Sequence, residues 1–381
     1  MFGASCHALT ISSSSFSLSC RNNSSRSSMA ASTVRIAVVG DVVNSLSLPI
    51  YELSFYFSPL LKKTCYFYNN STSNALRVFL KHDCWNLEED SKALEFLQPD
   101  LVLFTGDFGD ENVEVVQSVA NLEFPKAVIL GNHDSWFTKQ FSGSEKDNVQ
   151  LQLECLGEEH VAYQRLDFPM IKVSVVGGRP FSCGGKALFP KKLLAARYGI
   201  KDMDGSARRI HKAAHGTPED HFLILLAHNG PTGLGSAVND ICGKDWEFKG
   251  NGDHGDPDLA QAISMIKENN QVSIPLVVFG HMHKELAYGK GFRKMVVAGT
   301  DNTIYLNGAI VPRVKTSLDE VKGNSDDQSS LNSPPEAGGT TRVFTLVVIS
   351  EGRVVKIIES WVSVVKDRTT LEEEHILFEG S

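Results

Sequence analysis

The sequence predicts an α/β fold, and three observations carry that expectation. Five apolar runs of buried-strand type each end in a residue able to ligate a metal ion, beside glycine in most cases; helix-like segments separate them over much of the chain; and the texture changes to antiparallel strands beyond His283. Buried strands alternating with helices indicate a sheet covered on both faces. In such sheets ligands collect outside the carboxyl ends of the strands. All five groups are therefore expected at one edge of one sheet.

Residues 1–33 are dense in Ser, carry Arg21 and Arg26, and hold no acidic residue, the first in the chain being Asp41. This composition fits an organelle transit peptide better than a secretory signal, and in a plant-like protein the expected compartment is the chloroplast, in its stroma. A plain Ser-rich disordered terminus is the alternative. Order begins at Val34, and Val34–Val39 ends in Gly40-Asp41. Leu101–Thr105 then ends in Gly106-Asp107, Ala127–Leu130 in Gly131-Asn132-His133, Phe222–Leu226 in Ala227-His228, and Pro275–Phe279 in Gly280-His281-Met282-His283. Helices are expected over Leu87–Leu97, Val113–Ala120 and Asp258–Glu268. Met295–Ala298, Thr303–Leu306, Arg342–Ile349 and Arg353–Ile358 read as antiparallel strands of a second sheet, with Glu351-Gly352 as a hairpin turn. Residues 317–340, rich in Ser, Asp, Gly and Pro, read as a loop. One domain over 34–365 followed by a tail, 366–381, is the expected organisation.

The 381 residues, 42% hydrophobic and 22% charged, supply ample material for a sizeable core. A net charge of -8 without any dense Lys/Arg run excludes a broad basic nucleic-acid surface. The seven cysteines stand singly with no Cys-x-x-Cys pair, so neither a zinc knuckle nor a disulfide framework is indicated. No apolar run reaches the roughly 18 to 20 residues that span a bilayer; Leu48–Leu61 is broken by Pro49, Glu52 and Pro59.

The candidate ligands are Asp41, Asp107, Asn132, His228, His281 and His283, with His82 making seven. Carboxylate, amide and imidazole without thiolate suit Mn, Fe or Zn. Seven ligands are too many for one ion and suggest two, roughly 3.5 to 4 Å apart, sharing one carboxylate and a bridging water acidified to hydroxide. A phosphoester also needs a proton for its leaving alkoxide, and His133, adjacent to Asn132, is the expected donor.

In their order, Gly106-Asp107-Phe108-Gly109-Asp110, Gly131-Asn132-His133-Asp134, the later His228 and Gly280-His281-Met282-His283 resemble the signature of the calcineurin-like metallophosphoesterases of plant and cyanobacterial type, over Val34 to Trp361. The resemblance implies a four-layer α-β-β-α sandwich, two mixed sheets flanked by helices, and metal-dependent hydrolysis of a phosphomonoester or phosphodiester. It further implies that Asp107 bridges the ions, that Asn132, His228 and His281 hold one, that His283 and Asp41 hold the other, and that Asp110 orients His133. The family's first motif is Asp-x-His, whereas here Asp41-Val42 is followed by Val43, and His82-Asp83 comes after Lys81. Removing residues 43–81 restores Asp-Val-His-Asp, and Val and Lys codons permit the boundaries of an in-frame retained intron. The segment therefore reads as an insertion foreign to the fold, a genuine insertion being the alternative. Asp110-Glu111-Asn112 and Asp134 differ from the Asp-Arg-Gly and Asn-His-Glu of Ser/Thr protein phosphatases, and position 110 lacks the Tyr of purple acid phosphatases. A small-molecule, nucleotide or nucleic-acid phosphoester is thus expected over a phosphoprotein. A scaffold that keeps the fold without catalysis is the alternative function.

Several residues invite other readings. Gly178–Lys186 lacks the spacing of a phosphate loop, leaving Arg179 as either a phosphate contact or a surface turn residue. Gly252–Asp258 has the wrong spacing for calcium, and Asp256 with Pro257 reads as a helix start. His7, His160, His211, His215, His221 and His375 lack strand-end contexts and are expected to be surface or structural. Trp85 and Trp246 are expected either to line the cleft or to pack.

Overall fold

A computed structural model describes residues 33–42, 85–138, 146–246, 252–268, 272–316 and 339–380, all within the compact unit Ser32–Ser381. Residues 1–32 of the expected transit peptide, the segment 43–81 with His82, and all but the last two residues of the loop at 317–340 lie outside the described residues.

Strand β1 (Thr33–Val39) is followed by α1 (Leu87–Leu97), β2 (Leu101–Phe104), α2 (Val113–Ala120), β3 (Lys126–Val128) and α3 (Asn148–Leu156). Then come β4 (Arg165–Phe168), β5 (Val173–Gly177), α4 (Lys191–Tyr198), α5 (Met203–Ala214), β6 (Phe222–Leu226), α6 (Pro257–Glu268) and β7 (Leu276–Phe279). The chain ends in β8 (Val296–Ala298), β9 (Ile304–Asn307), β10 (Val314–Thr316), β11 (Thr340–Ser350), β12 (Arg353–Val365) and β13 (Arg368–Glu379). The helices begin where side chains can take up orphan amides: Asn86 accepts from Glu89 N–H and Asn112 from Val115 N–H. Pro257 opens α6, as its fixed φ favours.

The strands form two mixed sheets. One runs β13-β12-β11-β1-β2-β3, with β10 beside β11; β1, β2 and β3 are parallel and β11 is antiparallel to β1. The other runs β4-β5-β6-β7-β9-β8, parallel from β5 to β9 with antiparallel edges. Strand alternation sends Ile36, Val38, Leu101 and Leu103 of the first sheet into one core with Ile224, Leu226, Leu276 and Val278 of the second. The intervening Ala37, Val39, Val102, Leu225 and Val277 face outward into a layer filled by helical residues such as Leu94, Val116, Ile210 and Leu259. The result is the α-β-β-α sandwich.

Three expectations are corrected. The five ligand-bearing strands do not share a sheet: β1, β2 and β3 belong to the first, β6 and β7 to the second. Nor do the late strands make a sheet of their own, since β8 and β9 extend the second sheet while β11 and β12 complete the first. A doubly covered strand reads as the same apolar run in either sheet, so sequence pattern cannot assign membership. The stretch set aside as a tail holds β13, which pairs with β12 along its length. The Glu351-Gly352 hairpin stands as expected, with φ of 51° and 71°, the paired positive values of a type I′ turn.

Trp85 is a packing residue. It is buried edge-on against Phe104, and its indole N–H donates to Ser118 Oγ.

Candidate metal centre

The carboxyl ends of β1, β2 and β3 meet those of β6 and β7, and each loop that follows brings one or more candidate ligands to the junction. Side-chain ligand atoms of Asp107, His228 and His281 all lie within 4.8 Å of one another. His228 Nε2 is 2.9 Å from Asn132 Oδ1 and 3.4 Å from Asp107 Oδ2. The other ring nitrogen, Nδ1, sits 2.7 Å from the Thr105 carbonyl, which as an acceptor requires the proton there and leaves Nε2 as the ligand atom. His283 Nε2 approaches Asp41 Oδ2 at 3.4 Å on the neighbouring side. Asp41 is fully buried and accepts the His281 N–H at 3.0 and 3.1 Å. His82 lies outside the described residues.

Two glycines show why the strand ends repeat as they do. A Cβ on Gly131 would stand 2.2 Å from Asp107 Oδ1 and 2.5 Å from His228 Cε1, and one on Gly280 would stand 2.3 Å from Asp41 Oδ1. Only a hydrogen fits where two ligand loops cross. Asp107 and His281 themselves take left-handed backbone, φ 56° and 66°, a conformation costly for such residues and characteristic of functional loops.

His133 begins a single 3-10 turn, His133–Ser135. Its Nδ1 lies 2.7 Å from Asp110 Oδ1, and its backbone N–H donates to Asp107 Oδ1 at 2.9 Å. Asp134 is fully buried and accepts three backbone N–H groups, from Asp107, Phe108 and Gly131, at 2.7 to 2.9 Å. It thereby ties the loop after β2 to the loop after β3.

Electrostatics follow from this crowding. Burial alone would raise the Asp107 carboxyl, yet the imidazoles of His228, His133 and His281 outweigh it and hold the group well below the usual carboxylate range. Burial, then the Asp107 charge, pushes Asp134 up to about 8. For His133 burial is opposed by Asp107 and Asp110, which together raise it to about 9. Burial, reinforced by His228, holds His281 well below its ordinary value. A carboxylate of lowered pKa beside a largely neutral imidazole is a donor pair ready for a cation.

Arg179 is neither a phosphate contact nor a turn residue on the surface. It is buried against Asp256 and Asp258, at 2.8 and 3.0 Å, and Asn229 Nδ2 donates to the same Asp256. His160 and His221 are structural, Leu130 N–H donating to the first and Ser174 Oγ lying 3.0 Å from the second. Trp246 reaches the centre indirectly: it packs edge-on against His254, whose ring stacks 6.2 Å from that of His281. Sequence reasoning missed His254, which no strand end announces, and Trp136, whose ring lies 5.0 Å from that of His133 at an interplanar angle of 10°.

The two-sheet α/β sandwich thus brings buried carboxylate, amide and imidazole donors to one point, a set able to hold a metal ion. The family model for calcineurin-like phosphoesterases matches residues 34–285, most of the chain, and the chain belongs to that family. Solved structures it resembles include a hypothetical protein from Thermus thermophilus, at 11% identity and TM-score 0.39, covering 87% of this chain and 100% of that one. Another is the purple acid phosphatase PPD1 from yellow lupin (Lupinus luteus) seeds, at 12% identity and TM-score 0.37, covering 91% of this chain and 54% of that one. No curated protein matches.

Proposed function

We propose that the chain hydrolyses a phosphomonoester or phosphodiester of a small molecule or nucleotide at a dinuclear centre. The observation that carries this reading is the convergence of Asp107, His228 and His281 within 4.8 Å, with Asn132 Oδ1 against the ligand nitrogen of His228. The donor set contains no thiolate and suits Mn, Fe or Zn. One ion would be held by Asn132, His228 and His281, the other by Asp41 and His283 with His82, and Asp107 would be shared. Bound there, such ions supply activation of water and charge neutralisation at the phosphoryl oxygens.

The chain's own part is the proton. Asp110 accepts from His133 Nδ1–H, which leaves Nε2 to carry the proton given to the departing alkoxide. The hydrogen bond to the Asp110 carboxylate favours the protonated imidazole, the state that a proton donor needs. The composition of residues 1–33 supports the plastid as the working compartment.

Hydrolysis of alkyl and aryl phosphate mono- and diesters by the full chain, with Mn, Fe or Zn supplied in turn, tests the proposal. Activity should require metal, and on the alkyl esters it should fall by roughly 100-fold or more in His133→Ala. Absence of hydrolysis under every metal, or equal rates on the alkyl esters with and without His133, would overturn it.

A further inference from the structure

We propose that Trp136 is a positioning residue for His133, holding the imidazole so that Nε2 presents its proton to a basic alkoxide leaving group, and that the chain therefore acts on phosphoesters of aliphatic alcohols. This rests on the reading of His133 as the proton donor.

A hydrogen bond to one ring nitrogen fixes one atom and leaves the ring plane free to rock. Asp110, the partner of Nδ1, is 37% exposed, so water competes for the bond and weakens it as a restraint. The indole of Trp136 supplies what is missing. It lies nearly parallel to the imidazole, 10° between planes at 5.0 Å between centroids, and covers one face of it. Line and plane are then both set.

The backbone that carries the indole is fixed by the loop. The Trp136 backbone N–H donates to the His133 carbonyl at 3.1 Å, closing the turn. The next two residues are bracketed by Glu111, whose carboxylate accepts from Phe137 N–H at 2.7 Å, from Thr138 N–H, and from Thr138 Oγ1 at 2.9 Å. Glu111 is buried, and its own N–H donates to the His133 carbonyl at 3.0 Å. Removing Glu111 from water for the sake of a surface turn makes sense if that turn must not move. A phenolate or other stable leaving group departs without help, so an acid restrained at its backbone, its edge and its face is suited to an alkoxide.

Full-length wild type, Trp136→Ala, Trp136→Phe and His133→Ala are to be compared, with one metal, on a nitrophenyl phosphoester and on an alkyl phosphoester. For Trp136→Ala we expect kcat on the alkyl ester to fall about ten- to hundredfold, the nitrophenyl rate to fall about threefold or less, and KM to hold on both. Trp136→Phe, which keeps a ring, should recover most of the loss. Independently of activity, the stacked indole should shift the His133 Cε1–H proton resonance of the metal-free protein upfield, a shift lost in Trp136→Ala and partly kept in Trp136→Phe. Equal losses on both esters, or a His133 resonance unmoved by Trp136→Ala, would overturn the proposal. A His133→Ala variant that loses equally on both esters would overturn the donor reading beneath it, while the resonance would still report the stack.

Discussion

Mild acid should destabilise this protein through His160. The residue is buried, and burial alone depresses its pKa from 6.5 to about 3. The folded state keeps the ring neutral because Leu130 N–H donates to Nε2, which must then carry no proton. The unfolded chain, by contrast, takes up a proton as the pH drops past 6.5. A group whose folded pKa is depressed gives stability that is complete above the unfolded pKa and drains away as pH falls toward the folded one. Each unit of difference is worth about 1.4 kcal/mol, so at about pH 5, about 1.5 units below the unfolded value, the loss is about 2 kcal/mol. His160→Gln provides the control, since a carboxamide oxygen can accept from Leu130 but does not titrate. Urea unfolding of both proteins from about pH 7.5 to about pH 5 isolates the residue. Wild type should lose its advantage over the variant by about 2 kcal/mol across that window. A constant gap would refute the assignment of a neutral, buried imidazole beside β3.

Other outcomes follow from the same structure. Asp134→Ala strands three buried backbone N–H groups and should cost roughly 3 kcal/mol or more in urea unfolding, each orphaned donor contributing about 1 to 3; a loss below about 1 kcal/mol would contradict the clamp. Arg179→Ala leaves Asp256 and Asp258 buried without their cation and should cost about 3 to 5 kcal/mol near neutral pH. That cost should shrink as pH falls toward about 6, because burial raises the Asp256 carboxyl to about 6 even beside Arg179, and without that cation it is raised further and takes up its proton first in the variant. Supplying Mn or Zn should raise the melting temperature, worth about 2.7 kcal/mol at a hundredfold excess over Kd, and a chelator should reverse the rise. Asp107→Asn should abolish that response, and an unchanged shift would place the ion elsewhere.

Much of the framework was legible in the sequence because its signals are local. Helices α1 and α2 fall on the residues their spacing indicated, and β6 likewise. What escaped is non-local. Sheet membership of β6 and β7 depends on partners distant in sequence, while an apolar run reports only that both its faces are covered. Left-handed backbone at Asp107 and His281 is imposed by the crossing of two loops, against residue preference. Arg179 looked like a surface residue because arginine usually is one, and the compensating acids stand some eighty positions away. Trp136 sits three residues from His133, within reach of simple helical spacing, yet nothing in the sequence distinguishes a ring that covers its neighbour from one that faces solvent.

The position of β1 between β2 and β11 has a consequence for how the protein is made. Val38 faces Thr345 across the sheet, so the strand that leaves the ribosome early finds one of its neighbours only roughly three hundred positions later. Until β11 arrives, the apolar edge of β1 is without that partner and open to wrong pairing. Asp41, two residues beyond β1, is fixed by the His281 amide and so waits as well. The first ligand to be synthesised is among the last to be set in place, and metal capture is expected to follow completion of the chain.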